Sequence, residues 1–259
     1  MMNSSMKAKV KRLLLYILVA VFWLFIWDLG SKLFDLKSFL PNVKSTFIAL
    51  FDLFGKNNLN NTVTSILSSL ATIFQGFAIG SFLGIILAIF SILIPTFKTF
   101  VYPIMSIAKS TPVTAIILIL WLLIGGSNVP TAIALLMVMP IVWQSVISGY
   151  DAIDPNLQEV CEIFEFSALK KLKILVIPVI LKSLLPALLT ASGLAWKAGI
   201  AAEIICITKS SIGKEIYNYK SSFNYEMTFA WVIIILIISI IIEKAIGYIT
   251  KRINQKWHL

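Results

Sequence analysis

The chain has 259 residues, of which 59% are hydrophobic and 13% charged, with a formal net charge of +10 and a mean hydropathy of +0.93. Such a composition lies far from that of a soluble globular domain and places the chain in a lipid bilayer. The basic residues are scattered at the ends of apolar runs without a recognition motif, so anionic lipid headgroups account for them and nucleic acid does not.

A hydrocarbon core of ~30 Å takes about 20 apolar residues per helix. The expected architecture is therefore all-α, a polytopic integral membrane protein of about six transmembrane helices in one domain over 1–259. Spans are expected near 12–33, 69–94, 100–124, 128–149, 183–207 and 228–250, with a long connection over 150–182. The first follows Lys7, Lys9, Lys11 and Arg12; its apolar run is too long for a secretory signal and no small-residue cleavage site follows, so it reads as a retained span. Both termini then face the cytoplasm, where about 13 of the 22 basic residues fall, against about seven outside.

In the second span Gly76, Gly80 and Gly84 recur every four residues and share one helix face. Small residues let a second helix approach closely in lipid, which serves either packing inside this chain or an interface with another subunit. The third span carries Pro103 and is interrupted at Pro112, after Lys109, Ser110 and Thr111. A break at membrane depth persists where it faces protein or water, which makes those three residues candidates for a translocation path. Lys109 can equally snorkel its ammonium to the interface.

The fourth span offers Gln144. The fifth holds Trp196, Lys197 and Glu203 within an otherwise apolar helix. Lys or Asp at a span centre costs ~2.5 to 3.5 kcal/mol on insertion scales, so such groups usually face a bundle interior or water. Six residues span about 240° of turn, so Lys197 and Glu203 do not share a face. Partners are expected elsewhere, with Asp28, Lys109 and Gln144 as candidates. For Glu203 the choice lies between a structural or gating role and contact with a solute.

Cys161 and Cys206 fall on opposite sides of the membrane under this topology and cannot pair. There is no metal-ligand spacing, the single His258 cannot build a triad, and no phosphate loop or dinucleotide fingerprint occurs. Catalytic and metal-binding residues are not expected, nor a cofactor on this chain.

The connection between the fourth and fifth spans differs from the rest. Asp154 and Pro155 are suited to open a helix. Leu157, Val160, Cys161 and Phe164 then recur on one side, with Gln158, Glu159, Glu162 and Glu165 on the other. Ser167 can cap a second short helix whose Leu169, Leu172 and Val176 lie beside Lys170, Lys171 and Lys173, until Pro178 ends it. An amphipathic pair of this kind seats on a soluble partner or lies on lipid.

From Glu159 to Pro178 the spacing resembles the EAA loop of ATP-binding-cassette (ABC) importer permeases, which starts Glu-Ala-Ala, has Gly six residues after the Glu and ends Ile-x-Leu-Pro. Here the loop starts Glu159-Val160-Cys161 and ends Leu175-Val176-Ile177-Pro178, with Glu165 at the Gly position. Leu40-Pro41, Gly76-Phe77, Gly125-Gly126 and the segment from Gly193 to Glu203 are similar to the nitrate/sulfonate/taurine branch.

The resemblance implies a type I ABC importer permease (MetI-like) fold in the bacterial cytoplasmic membrane. It implies a second permease chain, as a homodimer, two cytoplasmic ABC ATPase subunits carrying ATP and Mg, and an extracytoplasmic substrate-binding protein. Residues 150–182 become the coupling loop, with Glu159 meeting a basic group of the ATPase and Val160, Cys161 and Phe164 supplying apolar contact. Segments 35–61 and 207–227 become docking surfaces for the binding protein. A small anion such as a sulfonate, taurine or nitrate is the implied solute, with a thiamine-precursor pyrimidine or another small nutrient as the alternative. An ion-coupled secondary transporter using Lys197 and Glu203, or a membrane scaffold recruiting a soluble protein, would leave the loop match unexplained.

Overall fold

The computed structural model describes residues 4–33 and 39–257; Asp35, Lys37 and His258 lie outside the described residues, as do the side chains of residues 4–10, 12 and 13. Eleven α-helices run through the described residues, which contain no strand: α1 (Ser4–Leu33), α2 (Val43–Leu53), α3 (Leu59–Leu93), α4 (Pro95–Ser110), α5 (Val113–Ile124), α6 (Val129–Asp151), α7 (Pro155–Ile163), α8 (Ala168–Lys171), α9 (Ile177–Cys206), α10 (Ile212–Ser221) and α11 (Tyr225–Trp257). Five stretches are long and apolar enough to cross a membrane, and α4 with α5 makes a sixth if the bent pair is one span.

Proline sets many of the helix boundaries. Pro95 and Pro155 occupy first-turn positions, where a missing N–H costs nothing because that donor has no partner within the helix. At Thr111 and Pro112 the chain leaves helical geometry, and α5 departs from α4 at 107°. α3 begins at Leu59 rather than near 69, because its first turns are rich in Asn, Thr and Ser and escape an apolar scan.

The chain forms two compact units, one of Met1–Thr62 with Ile216–Ile234 and one of Val63–Glu215 with Ile235–Leu259. In the first, the Trp27 indole donates to the Pro41 carbonyl at 3.0 Å and the Ser31 hydroxyl to Leu40 at 2.8 Å. The Trp27 ring lies 5.9 Å from that of Phe229. Asn42 caps α2 by accepting from Ser45 N–H at 2.8 Å, and the buried Thr62 hydroxyl closes on the end of α2 through the Leu53 carbonyl.

The second unit is built on close helix approach. A Cβ added at Gly76 would lie 2.3 Å from the Thr131 carbonyl oxygen, and one at Gly80 or Gly84 would lie 2.7 or 2.8 Å from the carbonyls of Leu135 or Met139. The glycine face of α3 is thus occupied by α6 of the same chain. α6 also packs on α9, where a Cβ at Gly149 would meet Ile180 Cα at 2.9 Å. Ala191, Ala195, Ala198 and Ala202 are all buried along α9, and its last turns close a core with Ile117, Val129 and Ile133. Lipid tails are as apolar as these side chains, so close packing holds the helices rather than escape from water.

Candidate functional site: an exposed loop and two polar clusters

Between α6 and α9 the chain builds a two-helix loop with each end capped. Asp154 accepts from Asn156 N–H at 2.8 Å to open α7, and Ser167 accepts from Lys170 N–H at 3.4 Å to open α8. The turn between them is a Schellman motif: Phe166 N–H donates to Cys161 C=O at 2.9 Å and Glu165 N–H to Glu162 C=O at 3.0 Å. Its left-handed position belongs to Glu165, at φ 49°. The family's Gly position therefore keeps its geometry with Glu in it, at a cost of roughly 1 kcal/mol against the Cβ clash.

The motif's hydrophobic contact is present as well, with Phe166 packed on a small core of Ile153, Cys161 and Leu175. Cys161 is 7% exposed, which corrects its grouping with the outward apolar contacts; it holds the loop together from inside. The outward apolar side chains are Val160, Phe164 and Leu169 with Ile163, and the last three are 69%, 79% and 76% exposed respectively. Glu159, Glu162 and Glu165 stand exposed beside them. Lys170 lies 3.7 Å above the Phe166 ring in the turn and Lys171 pairs with Glu162 of α7 at 3.4 Å, so the two lysines tie α8 to the turn and to α7.

Pro178 does not end the second helix, contrary to its reading as a stop. Residues 172–176 form a π turn in which Ile177 N–H reaches five residues back to Leu172, and the helix runs on into α9. A π turn widens the helix just before Pro178, where the ring would press on a preceding carbonyl.

Glu203 organises the other end of α9. It is 1% exposed, and its Oε2 accepts from the Ser69 hydroxyl of α3 at 2.8 Å and from Gly213 N–H at 3.1 Å. Ser69 in turn accepts from Ile212 N–H at 2.9 Å. A carboxylate thus caps the first turn of α10, where free N–H groups and the helix dipole favour negative charge. The approach is tight: a Cβ at Gly213 would lie 2.3 Å from Glu203 Cβ. Ser68, Thr72, Ser127, Thr208 and Lys209 border a cavity of about 70 Å³ beside it.

The expected partners are not the observed ones. Asp28 pairs with Lys32, Gln144 donates to Ser148 Oγ at 3.2 Å, and Glu203 is served by Ser69 and the α10 backbone. Lys109 and Ser110 are exposed at the α4–α5 break, where the hydroxyls of Ser110 and Thr111 both return to the Ile107 carbonyl. Trp196 and Lys197 border a different cavity, of about 330 Å³, with Glu243 of α11 opposite. The candidate pathway residues therefore occupy separate places. Glu243 went unmarked in the sequence, although an acidic residue within an expected span is the signal that would have found it.

The close-packed spans and the amphipathic loop between two of them are features of a multi-pass membrane protein that offers a surface to a partner. Residues 80–255 match the family described as binding-protein-dependent transport system inner membrane component, and the chain belongs to that family. It is a multi-pass membrane protein and the permease of an ABC importer, a class that works with ATPase and binding-protein partners and is generally not itself catalytic.

A Methanocaldococcus jannaschii protein assigned as an ABC transporter permease is 23% identical over 251 residues, covering 96% of this chain and 94% of the relative. A Bacillus subtilis protein assigned as the aliphatic sulfonates transport permease SsuC is 22% identical over 184 residues, 70% of this chain and 66% of the relative. Among solved structures, an amino acid ABC transporter with histidines superposes with a TM-score of 0.64 at 16% identity, over 80% of this chain and 97% of that one. The fold is shared with it.

Proposed function

We propose that the chain forms, with a second copy of itself, the pathway for a small anion such as a sulfonate, taurine or nitrate. An extracytoplasmic binding protein delivers the solute over the segments within 39–61 and 207–227, and two cytoplasmic ATPase subunits supply ATP and Mg. The termini lie in the cytoplasm, as the excess of basic residues on that side supports. The sulfonate assignment of the Bacillus subtilis relative supports the solute class, as does the ammonium of Lys197 on a cavity wall.

The observation that carries the coupling is the exposed apolar cluster of Val160, Ile163, Phe164 and Leu169, ringed by carboxylates on a loop braced from within. Apolar side chains so exposed off a short capped helix have a partner outside the chain. Closure of the ATPases on ATP pulls this loop and alternates access through the spans, with Glu159 held by a basic group of the ATPase. The test is ATP-driven uptake in proteoliposomes containing the ATPase and binding protein. Glu159→Lys should insert and fold normally yet abolish uptake; uptake at the level of the unaltered protein would overturn the coupling role.

A further inference from the structure

The cavity beside Trp196 has a chemistry that a path for a simple anion does not need. Lys197 on α9 and Glu243 on α11, both exposed, line the same half-open space of about 330 Å³. Thr190, Ser192 and Ser239 add hydroxyls to its wall. Among the described residues neither charged side chain has an ion-pair or hydrogen-bond partner. Ionisable groups on spans persist where they face water, a partner or a cargo, and a volume near 300 Å³ is the lower end for small-molecule sites.

Two further features make the space a built one. Trp196 is 1% exposed, and its indole donates to the Ile235 carbonyl at 3.3 Å, which fixes the ring as a wall. Gly193 also lines the cavity, yet a Cβ there would meet no atom within 4 Å. The glycines of α3 are small because a helix presses on them, whereas Gly193 has open space where its side chain would be.

We propose that this cavity receives a small zwitterion in transit, its anionic end on the Lys197 ammonium and its cationic end on the Glu243 carboxylate. Glu243 is then the residue that selects for an ammonium-bearing solute, since a simple anion would meet repulsion there. The proposal rests on the importer reading and narrows its solute class from anionic groups in general to solutes that carry an ammonium beside the anionic group, as taurine does and nitrate does not.

Paired probes that differ only at the cationic end test it: taurine against isethionate, and β-alanine against 3-hydroxypropionate. Calorimetric titration of the permease–ATPase complex in nanodiscs should show the ammonium member of at least one pair binding about tenfold tighter than its hydroxyl partner. Glu243→Gln should bring that pair to within about threefold of each other, and Lys197→Met should weaken both members. Gly193→Leu should abolish binding without lowering the melting temperature, because its side chain enters empty space.

An unchanged ratio in Glu243→Gln, or no ammonium preference in the unaltered complex, overturns the proposal. ATP-driven uptake of any solute in the same preparation would leave the importer reading standing in that case. No uptake with the ATPase and binding protein present would sink both.

Discussion

The loop over 154–176 and the cluster around Glu203 handle polarity in opposite ways. At Glu203 a charged group is buried and its hydrogen-bond partners among the described residues lie on α3 and at the start of α10. In the loop large apolar groups are exposed, and what is internal is the bracing: the caps, the Schellman turn and Cys161. A residue whose partners are internal reports on stability when it is changed. A residue whose partner is absent from the chain reports on assembly and coupling, with the fold unharmed.

Removing the buried carboxylate should have the largest effect on stability. Glu203→Ala leaves the Ser69 hydroxyl and Gly213 N–H without their acceptor, and should cost about 3 kcal/mol, read as a fall in melting temperature in detergent. Glu203→Gln keeps an acceptor oxygen and should cost clearly less. Equal losses from the two would mean that the acceptor is not what matters, and the contrast with the loop would weaken. Gly76→Ala comes next, at about 2 kcal/mol, because the new methyl meets the Thr131 carbonyl at 2.3 Å and α3 must move off α6.

In the loop the expected changes are smaller and one has the opposite sign. Glu165→Gly should stabilise by about 0.5 to 1 kcal/mol, since Gly occupies φ 49° without the Cβ penalty. Destabilisation would show that Glu165 makes a contact worth more than its strain. Phe164→Ser should cost at most about 1 kcal/mol, the worth of its ring contact with Phe166 at 6.2 Å, while ATP-driven uptake falls sharply. Smallest is Lys171→Ala, below about 0.5 kcal/mol, because its partner Glu162 is largely exposed.

Much of this architecture is legible in the sequence because lipid imposes a plain code of long apolar runs. The caps at Asp154 and Ser167 were legible too, being set within a few residues of the groups they serve, whereas Glu165 at the family's Gly position left the geometry of the turn open until its φ of 49° was seen. What escaped depends on distance or on context. Glu203 and Ser69 are 134 positions apart, and no local spacing joins them. Cys161 shares a helical side with Leu157 and Phe164, yet Ile153 and Leu175 cover it. Pro178 reads as a stop because one residue cannot show that a π turn lies just before it. The purpose of the glycines on α3 needed α6 in place; the sequence left open whether this chain or another would fill that face.

The π turn at 172–176 has a mechanical meaning. By carrying the helix past Pro178 it makes Ala168–Cys206 one run of 39 residues, roughly 58 Å at 1.5 Å per residue. One end carries Leu169 of the exposed loop and the other carries Glu203 and its hydrogen bonds to α3 and α10. A rod of that length is a lever: a tilt of about 10° at one end displaces the far end by about 10 Å. Lys197 lies on the same helical run, so under the coupling proposed above a movement of the loop has a continuous helical backbone to the cavity and to the α10 cap.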